Sequence, residues 1–218
     1  MESESFAMPF RTTVYIDGYN LYYGLKNKGW KHCYWLNVKA LAESLLRPDQ
    51  NLVDVKYYTA MIRPTPQDPL KYKRHATYIE AIQETGGVEI IKGHYLEKTR
   101  RCRACGAVWQ DFEEKMTDVN IASDLLTDAY KDKYDTALLI SADSDLYRPI
   151  STVRRDFPKK RILVIFPPGR RSKQLDEVAH ASYILGQQKL EKAQLPDQVT
   201  KRDGYTISRP SNWIRAAR

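Results

Sequence analysis

Aspartates stand in three short segments that lie far apart in the chain. The segments are VYIDGYN (14–20), TDVNIASD (117–124) and SADSDL (141–146). The first and third are apolar runs that end in aspartate, a pattern of buried parallel strands that would deliver Asp17, Asp143 and Asp145 to the C-terminal edge of a sheet. Ligands bind at that edge in open α/β sheets. Carboxylates gathered there repel one another unless protons or a divalent cation neutralise them, so the pattern predicts a metal site.

The second segment predicts a helix that starts with an acidic residue. Asp118 follows Thr117 at the helix start and shares one helical face with apolar side chains, namely Ile121, Ala122, Leu125 and Ala129. An inward-facing carboxylate needs a partner, and a metal ion would provide one. Asp124 lies about 240° around the helix from Asp118. We therefore expect Asp124 either to pair with a basic residue or to support the metal ligands without touching the ion.

The same residues also admit purely structural explanations. Asp17 precedes a glycine and could form a turn without any ligand, because Asp-Gly is a frequent turn pair. Asn20 could cap the following helix or reach a metal or phosphate from its first turn. Ser144 or Asp143 could cap the helix that begins LYRPISTV. Capping can account for Asp143 or for Asp145, but it does not account for both.

The order of the segments resembles the NYN domain family, the PIN-like nucleases related to the DUF88 and LabA-type bacterial proteins. Members carry I-D-G-x-N after the first strand, T-D-V at a helix start and S-G-D-S-D-F after a later strand. The third motif here reads SADSDL, with Ala142 for the usual Gly and Leu146 for Phe. The resemblance extends through FPPGRRSKQL (166–175) and so covers about residues 11–186.

This resemblance implies that Asp17, Asp118, Asp143 and Asp145 form a metal-binding catalytic quartet for Mg²⁺ or Mn²⁺. The implied activity is that of a ribonuclease, expected to cut RNA internally, in which the metal rather than a histidine activates water. An alternative is a nucleic-acid-binding regulatory protein with little turnover. A phosphatase of the haloacid-dehalogenase type is disfavoured, because it needs a second Asp two residues after the nucleophile and position 19 is Tyr.

Charge and aromatic content favour a nucleic-acid partner. Lys and Arg number 35 against 27 Asp and Glu, a formal net charge of +8, and such a balance suits a polyanion. Phosphate contacts are expected from Arg170, Arg171 and Lys173, if the strand at 161–166 lies beside the strand that leads to Asp143. Tyrosines number 15, and Tyr19, Tyr22 and Tyr23 near the first motif could stack on bases.

The three cysteines are too few for a disulfide scaffold. Cys102 and Cys105 form a CxxC followed by Gly106, which resembles half of a zinc site. His94 could be a third ligand, or a second copy of the chain could supply another CxxC across a homodimer interface. A redox pair and two plain thiols are the alternatives.

Apolar runs at 12–16, 52–60, 88–91, 136–141 and 161–166 predict strands, and helix-like stretches lie between them. This alternation predicts an α/β fold with a mostly parallel central sheet and helices on both faces. We expect one domain over 11–186, a small CxxC-containing insertion at about 92–116, predicted as a hairpin, and a basic tail at 187–218. The polar tail is expected to be a mobile terminus, although Tyr205, Ile207, Trp213 and Ile214 leave docking open.

The composition also bounds the class of protein. Apolar residues make up 42% and charged residues 28% of the chain, as in globular proteins. No apolar run approaches the roughly 18 residues needed to span a bilayer. The start, MESESFAMPF, lacks the features of a signal peptide. The sequence therefore predicts a cytoplasmic protein without a membrane partner.

Overall fold

The computed structural model describes residues 8–60 and 68–214, leaving out the side chains of 94–98 and 109–115. Seven strands form one sheet: β1 (Phe10–Asp17), β2 (Gln50–Ala60), β3 (Glu89–Arg101), β4 (Val108–Lys115), β5 (Thr136–Ile140), β6 (Arg161–Phe166) and β7 (Ala181–Ile184). Their order across the sheet is β4-β3-β2-β1-β5-β6-β7. All neighbours are parallel except β3 and β4. The predicted fold class is confirmed, and each of the predicted strands is present.

Helices cover both faces of this sheet. They are α1 (Gly18–Asn27), α2 (Val38–Leu45), α3 (Lys71–Thr85), α4 (Thr117–Tyr130), α5 (Tyr147–Asp156), α6 (Lys173–Val178) and α7 (Gln187–Lys192). Two separate core clusters result, because successive side chains of a strand point to opposite faces. In β1, Val14 and Ile16 pack into the cluster under α1, α2 and α3, whereas Tyr15 packs into the cluster under α4, α5 and α6. No helix in the described part of the chain has the length and apolar character to cross a membrane.

The segment 92–116 contains an antiparallel ladder. Strands β3 and β4 pair from His94 opposite Lys115 to Arg101 opposite Val108. The predicted hairpin is therefore present, while its status as an insertion in the domain stays a prediction. Strand β7 was not predicted, because its four residues are mostly exposed and form no continuous apolar run.

Residues 187–214 are folded against the domain, so the expectation of a mobile terminus is wrong for them. After α7 come β8 (Gln198–Thr200), β9 (Thr206–Ser208) and a short 3-10 helix at 211–213. Apolar residues are sparse in this segment, yet several are buried in the first core cluster: Leu190, Leu195, Val199, Ile207 and Trp213. Tyr205 and Ile214 are 63% and 54% exposed. Residues 215–218 lie outside the described part, and the boundaries 11–186 and 187–218 stay predictions.

Candidate active site

Asp17 lies at the centre of the sheet, where β1 ends and α1 begins. Only 2% of its surface is exposed. The backbone N–H of Asn20 donates to Oδ1 at 2.9 Å, and the hydroxyl of Ser141 donates to Oδ2 at 2.9 Å. A Cβ on the following residue, Gly18, would lie 2.6 Å from the Tyr57 hydroxyl oxygen. The glycine therefore permits the close approach of α1 to β2 that holds Asp17 in place.

Asp143 enters from the neighbouring strand, since β5 pairs with β1. Its carboxylate accepts the N–H of Asp145 at 3.0 Å and caps the short 3-10 helix at 144–146. Its own N–H donates to Ser141 Oγ at 3.1 Å. The side-chain oxygen of Asn20 accepts the N–H of Ala142 at 3.3 Å, so Asn20 joins the two loops and Asp17 caps α1. Asp143 therefore caps a helix, which was one of the structural explanations considered for it. Capping does not account for Asp145, which is exposed.

Asp118 comes from the first turn of α4, where it is half-buried. Ile121, Leu125 and Ala129 are buried below it, which confirms the predicted inward face. Met116, just before the helix, has a left-handed backbone with φ 81. Such a conformation costs a non-glycine residue about 1–3 kcal/mol and concentrates at functional sites. The turn at Met116 sets the direction in which α4 presents Asp118.

These three carboxylates line one cavity of about 140 Å³, together with Tyr19, Asn20, Met116 and Thr117. The pKa of Asp118 is raised to about 6. Burial of the carboxyl is the largest cause, and the negative charges of Asp143, Asp17 and Asp145 add to it. Burial also raises the pKa of Asp17, against the opposing effect of the hydrogen bonds from Asn20 and Ser141. The cavity therefore concentrates negative charge, and among the described side chains that line it none is cationic.

The donor set of this cavity fits a hard divalent cation such as Mg²⁺ or Mn²⁺, because its possible ligands are carboxylate and amide oxygens. Among the described residues, no three His, Cys, Asp or Glu side chains stand close enough together to form a ready ion cage. Asp145 contributes charge but does not line the cavity. The assignment of Asp17, Asp118, Asp143 and Asp145 as metal ligands stays a prediction.

Asp124 does not line the acidic cavity. It accepts a hydrogen bond from Tyr58 at 2.7 Å and lies 3.6 Å from Lys56 Nζ, so it pairs with a basic residue. Lys56 lies between this carboxylate and Asp128, to which its Nζ donates at 2.7 Å. Tyr15 also donates to Asp128, at 2.9 Å. We call Lys56, Asp124, Asp128, Tyr15 and Tyr58 the buried ion network; it fastens α4 to β1 and β2, and only Asp124 of the five figured in the sequence prediction.

The residues predicted to contact phosphate follow β6 at the C-terminal edge of the sheet, but they do not line the acidic cavity. Strand β6 pairs with β5, as required, so the loop after Phe166 follows the strand next to that leading to Asp143. Arg171 pairs with Asp176, and Lys173 lies 3.8 Å from Glu177. Neither these two nor Arg170 lines the acidic cavity. Their role in binding substrate stays a prediction.

The cysteine motif forms a turn on the ladder of β3 and β4. Gly106 has φ 73, and its N–H donates to the carbonyl of Cys102. Backbone N–H groups of Cys105 and Ala104 lower the pKa of the Cys102 thiol. Both thiols are free, and Cys105 is exposed. The side chain of His94 lies outside the described part of the structure, so zinc binding stays a prediction.

A second, larger cavity of about 380 Å³ adjoins the acidic one, and Tyr19 lines both. Its walls combine aromatic rings, among them Trp213 of the C-terminal segment, with basic side chains from α1 and α3. Of its aromatic residues, the sequence pointed to Tyr19 and Tyr22 as stacking candidates and to Trp213 as a residue that could dock. The same cavity is lined by basic residues of α1 and α3, namely Lys26, Lys71 and Arg74. The sequence alone did not mark them as part of one site, because it does not show that the two helices are neighbours.

The fold and the acidic cavity define an α/β protein with a carboxylate-rich site at the C-terminal edge of its sheet. A family model for the NYN domain matches residues 11–194, and the chain belongs to this family. Membership of the NYN family places the chain in the PIN-like nuclease superfamily, as the resemblance of the motifs implied.

Two known proteins are similar to this chain. The "6-hydroxy-3-succinoylpyridine 3-monooxygenase HspA" of Pseudomonas putida is 28% identical over 244 residues, which cover 94% of this chain and 76% of that protein. A crystal structure of a protein of unknown function from Vibrio parahaemolyticus superposes with a TM-score of 0.52 at 19% identity, covering 86% of this chain and 98% of that one. The second comparison supports the fold alone.

Proposed function

We propose that the protein is a divalent-metal-dependent ribonuclease that cuts RNA internally. The observation that carries the proposal is the cavity at the strand ends, which Asp17, Asp118 and Asp143 line together. Carboxylates with raised pKa values in a shared cavity are typical of functional sites. Membership of the NYN family supports a nuclease, and the net charge of +8 supports a nucleic-acid substrate.

Asp17, Asp118 and Asp143 would hold the ion, with Asp145 adding negative charge beside them. Bound Mg²⁺ or Mn²⁺ would supply activation of water and stabilisation of charge on the departing oxygen. The protein's own contribution is orientation. Ser141 and the N–H of Asn20 fix both oxygens of Asp17, and Ser141 also holds the backbone of Asp143. These hydrogen bonds fix the positions of Asp17 and Asp143, which follow neighbouring strands, relative to each other.

The first test is cleavage of a labelled mixed RNA pool with Mg²⁺, with Mn²⁺ and with EDTA. Asp143→Asn keeps the volume of the side chain and removes its charge, so cleavage should fall at least about 100-fold, beyond the loss typical of residues behind a metal ligand. Asp156→Asn is the matched control, because Asp156 is an aspartate at the far end of α5 that pairs with Arg155. Equal cleavage by the parent and Asp143→Asn would refute the site assignment.

Circular RNA and a DNA pool extend the same assay. Linearisation of circular RNA would establish internal cutting, and comparison with the DNA pool measures the preference between the two nucleic acids. Retention of RNA on a filter by a protein that cuts neither pool would instead support the alternative, a nucleic-acid-binding regulatory protein with little turnover.

A second candidate function comes from the aromatic cavity of about 380 Å³. The relative from Pseudomonas putida is named for oxidation of a hydroxylated pyridine, and such a ring would suit an aromatic wall. Oxygen consumption with a hydroxypyridine and a reduced nicotinamide or flavin tests this candidate. Turnover there that persists in Asp143→Asn would favour it over the ribonuclease.

A further inference from the structure

We propose that the larger cavity, beside the acidic one, binds a single nucleotide of the RNA strand, with the base against its aromatic wall and a phosphate among its basic side chains. The proposal rests on the proposed function, because the ligand it names is part of the ribonuclease substrate. The cavity has a volume of about 380 Å³. Pockets for small ligands begin at about 300 Å³, so one nucleotide rather than a folded strand suits this space.

The aromatic wall is formed by three rings from separate parts of the chain. The rings of Tyr22 and Tyr34 have centroids 5.1 Å apart, and Tyr34 and Trp213 follow at 5.6 Å. Tyr34 and Trp213 are nearly buried, whereas Tyr22 is only half-buried and lies at the open side. A base that stacks on such a wall needs no particular sequence, because every base has a π-face.

Basic side chains outnumber acidic ones around the same cavity. Lys26, Lys31, Lys71 and Arg74 line it, and Asp68, the one carboxylate among the described lining residues, pairs with Arg74. Nζ of Lys71 lies 5.4 Å from the centroid of the Tyr22 ring. Burial lowers the pKa of Lys71, and the nearby charge of Lys26 lowers it further. An anion at this point would relieve that repulsion, and it would stand beside the ring on which a base could stack.

His75 adds a polar group to this aromatic surface. Burial lowers its pKa to about 4, so the imidazole is neutral near pH 7. Its Nε2 lies 3.1 Å from the hydroxyl of Thr59. Within the described residues, its Nδ1 has no hydrogen-bond partner. The neutral ring lines the cavity beside the aromatic side chains, where it adds a polar group without adding charge.

The position of the cavity agrees with a nucleotide next to the bond that is cut. Tyr19 lines both cavities and follows Asp17 and Gly18 directly in the chain. A strand with one phosphate at the acidic site would therefore have its neighbouring nucleotide at the aromatic wall. The basic residues Lys26, Lys31, Lys71 and Arg74 line the larger cavity and not the acidic one.

The test is binding of UMP and AMP by isothermal titration calorimetry, in EDTA so that no chemistry takes place. Tyr22→Ala and Lys71→Met should each weaken binding by about tenfold, the loss expected for one stacked base or one phosphate contact. Lys71→Met keeps the length of the side chain and so remains informative if Tyr22→Ala fails to fold. Tyr130→Ala and Lys131→Met are matched controls, since both residues are exposed at the far end of α4.

Three outcomes overturn the proposal: no binding of either nucleotide, equal binding by the parent and Lys71→Met, or tighter binding of pyridine-3-carboxylate than of UMP and AMP. The same titrations with Asp143→Asn separate this proposal from the ribonuclease. That variant should bind nucleotides as the parent does while losing cleavage. Nucleotide binding by a parent that cuts no RNA would refute the proposed function and leave the nucleotide site supported.

Discussion

Helix α4 carries aspartates into two buried surroundings of opposite character. At its first turn, Asp118 faces the carboxylates of Asp17 and Asp143, and its pKa is raised to about 6. Near its last turn, burial alone would raise the pKa of Asp128, yet hydrogen bonds from Lys56 and Lys133 outweigh burial and lower it. Lys56 Nζ lies 2.7 Å from Asp128. Near the C-terminal end of α4 the carboxylate is thus paired with lysines, whereas at its N-terminal end the carboxylate lies near other carboxylates.

The difference separates carboxylates that are paired with lysines inside the fold from carboxylates that are gathered at the cavity proposed to bind metal. A buried charge without a partner is costly, so a protein that keeps several together needs another source of stability. The buried ion network supplies it here by fastening α4 to β1 and β2, which carry Tyr15, Lys56 and Tyr58. Substitutions at the two ends of α4 should therefore affect stability with opposite signs.

The largest effect is expected from Asp128→Ala. Among the described residues, the substitution leaves buried Lys56 with the more distant Asp124 and Glu89 as partners, at 3.6 and 3.9 Å. Breaking a buried ion pair in this way costs about 3–5 kcal/mol. Urea unfolding followed by circular dichroism measures the loss. Asp118→Asn is the comparison variant, and it should be neutral or stabilising because it removes repulsion; an equal loss in both variants would refute the distinction.

Divalent metal should stabilise the acidic end alone. At concentrations of about 10 to 100 times the dissociation constant, Mg²⁺ or Mn²⁺ should add about 1–3 kcal/mol to the free energy of unfolding. The melting temperature of the parent should rise with metal, while that of Asp143→Asn should hardly change. Potassium chloride at equal ionic strength controls for screening. A rise of the same size in both proteins would place the metal elsewhere.

The two ends should also respond to pH in opposite directions. The folded-state pKa of Asp118 is raised to about 6 from the ordinary value of about 4, so the folded state binds the extra proton and stability falls as pH rises from about 4 to 6. The lowered pKa of Asp128 gives stability that is present above about pH 4 and lost as pH falls through its folded-state value.

Unfolding free energies measured across this range in the parent and in Asp118→Asn test the first part. The variant should lack the decline between about pH 4 and 6, worth about 1 kcal/mol after allowance for solvent screening at a half-buried group. An unchanged decline would show that Asp118 does not titrate near pH 6.

The smallest effect is expected from Asp124→Asn. Asp124 is partly exposed, and Lys56 keeps its shorter contact with Asp128. The amide can still accept the hydrogen bond from Tyr58, so the loss should stay below about 1 kcal/mol. Cleavage of RNA should be unchanged, because Asp124 does not line the acidic cavity. A loss of cleavage comparable to that of Asp143→Asn would return Asp124 to the active site.

The sequence predicts much of the fold because the central strands are long apolar runs. Residues 12–16 and 136–141 were placed correctly, and so were Asp17 and Asp143 at their ends. The inward face of α4 followed from its helical period. Strand β7 and the docking of the C-terminal segment were missed, because isolated apolar residues such as Ile207 and Trp213 have no local period that marks them as buried.

Pairing between distant residues was harder to foresee. Lys56 stands in a strand between Val55 and Tyr57, a position that local pattern alone does not mark as a buried charge. The available signal was on α4, where Asp124 and Asp128 are four residues apart and must share a face. Similarly, α1, α3 and Trp213 all contribute to the lining of the larger cavity. Their proximity depends on the order of the strands in the sheet, which no single segment of the sequence reveals.

The central place of β1 has a consequence for how the protein is made. Asp17 receives its hydrogen bond from Ser141, and β1 pairs with β5 across more than a hundred residues of chain. During synthesis β1 therefore pairs with β5 only after more than a hundred further residues have been joined. A chain still on the ribosome that has not yet reached residue 143 lacks Asp143, so a protein proposed to cut RNA completes its acidic cavity only after the part of its message that encodes β5 and Asp143 has been translated.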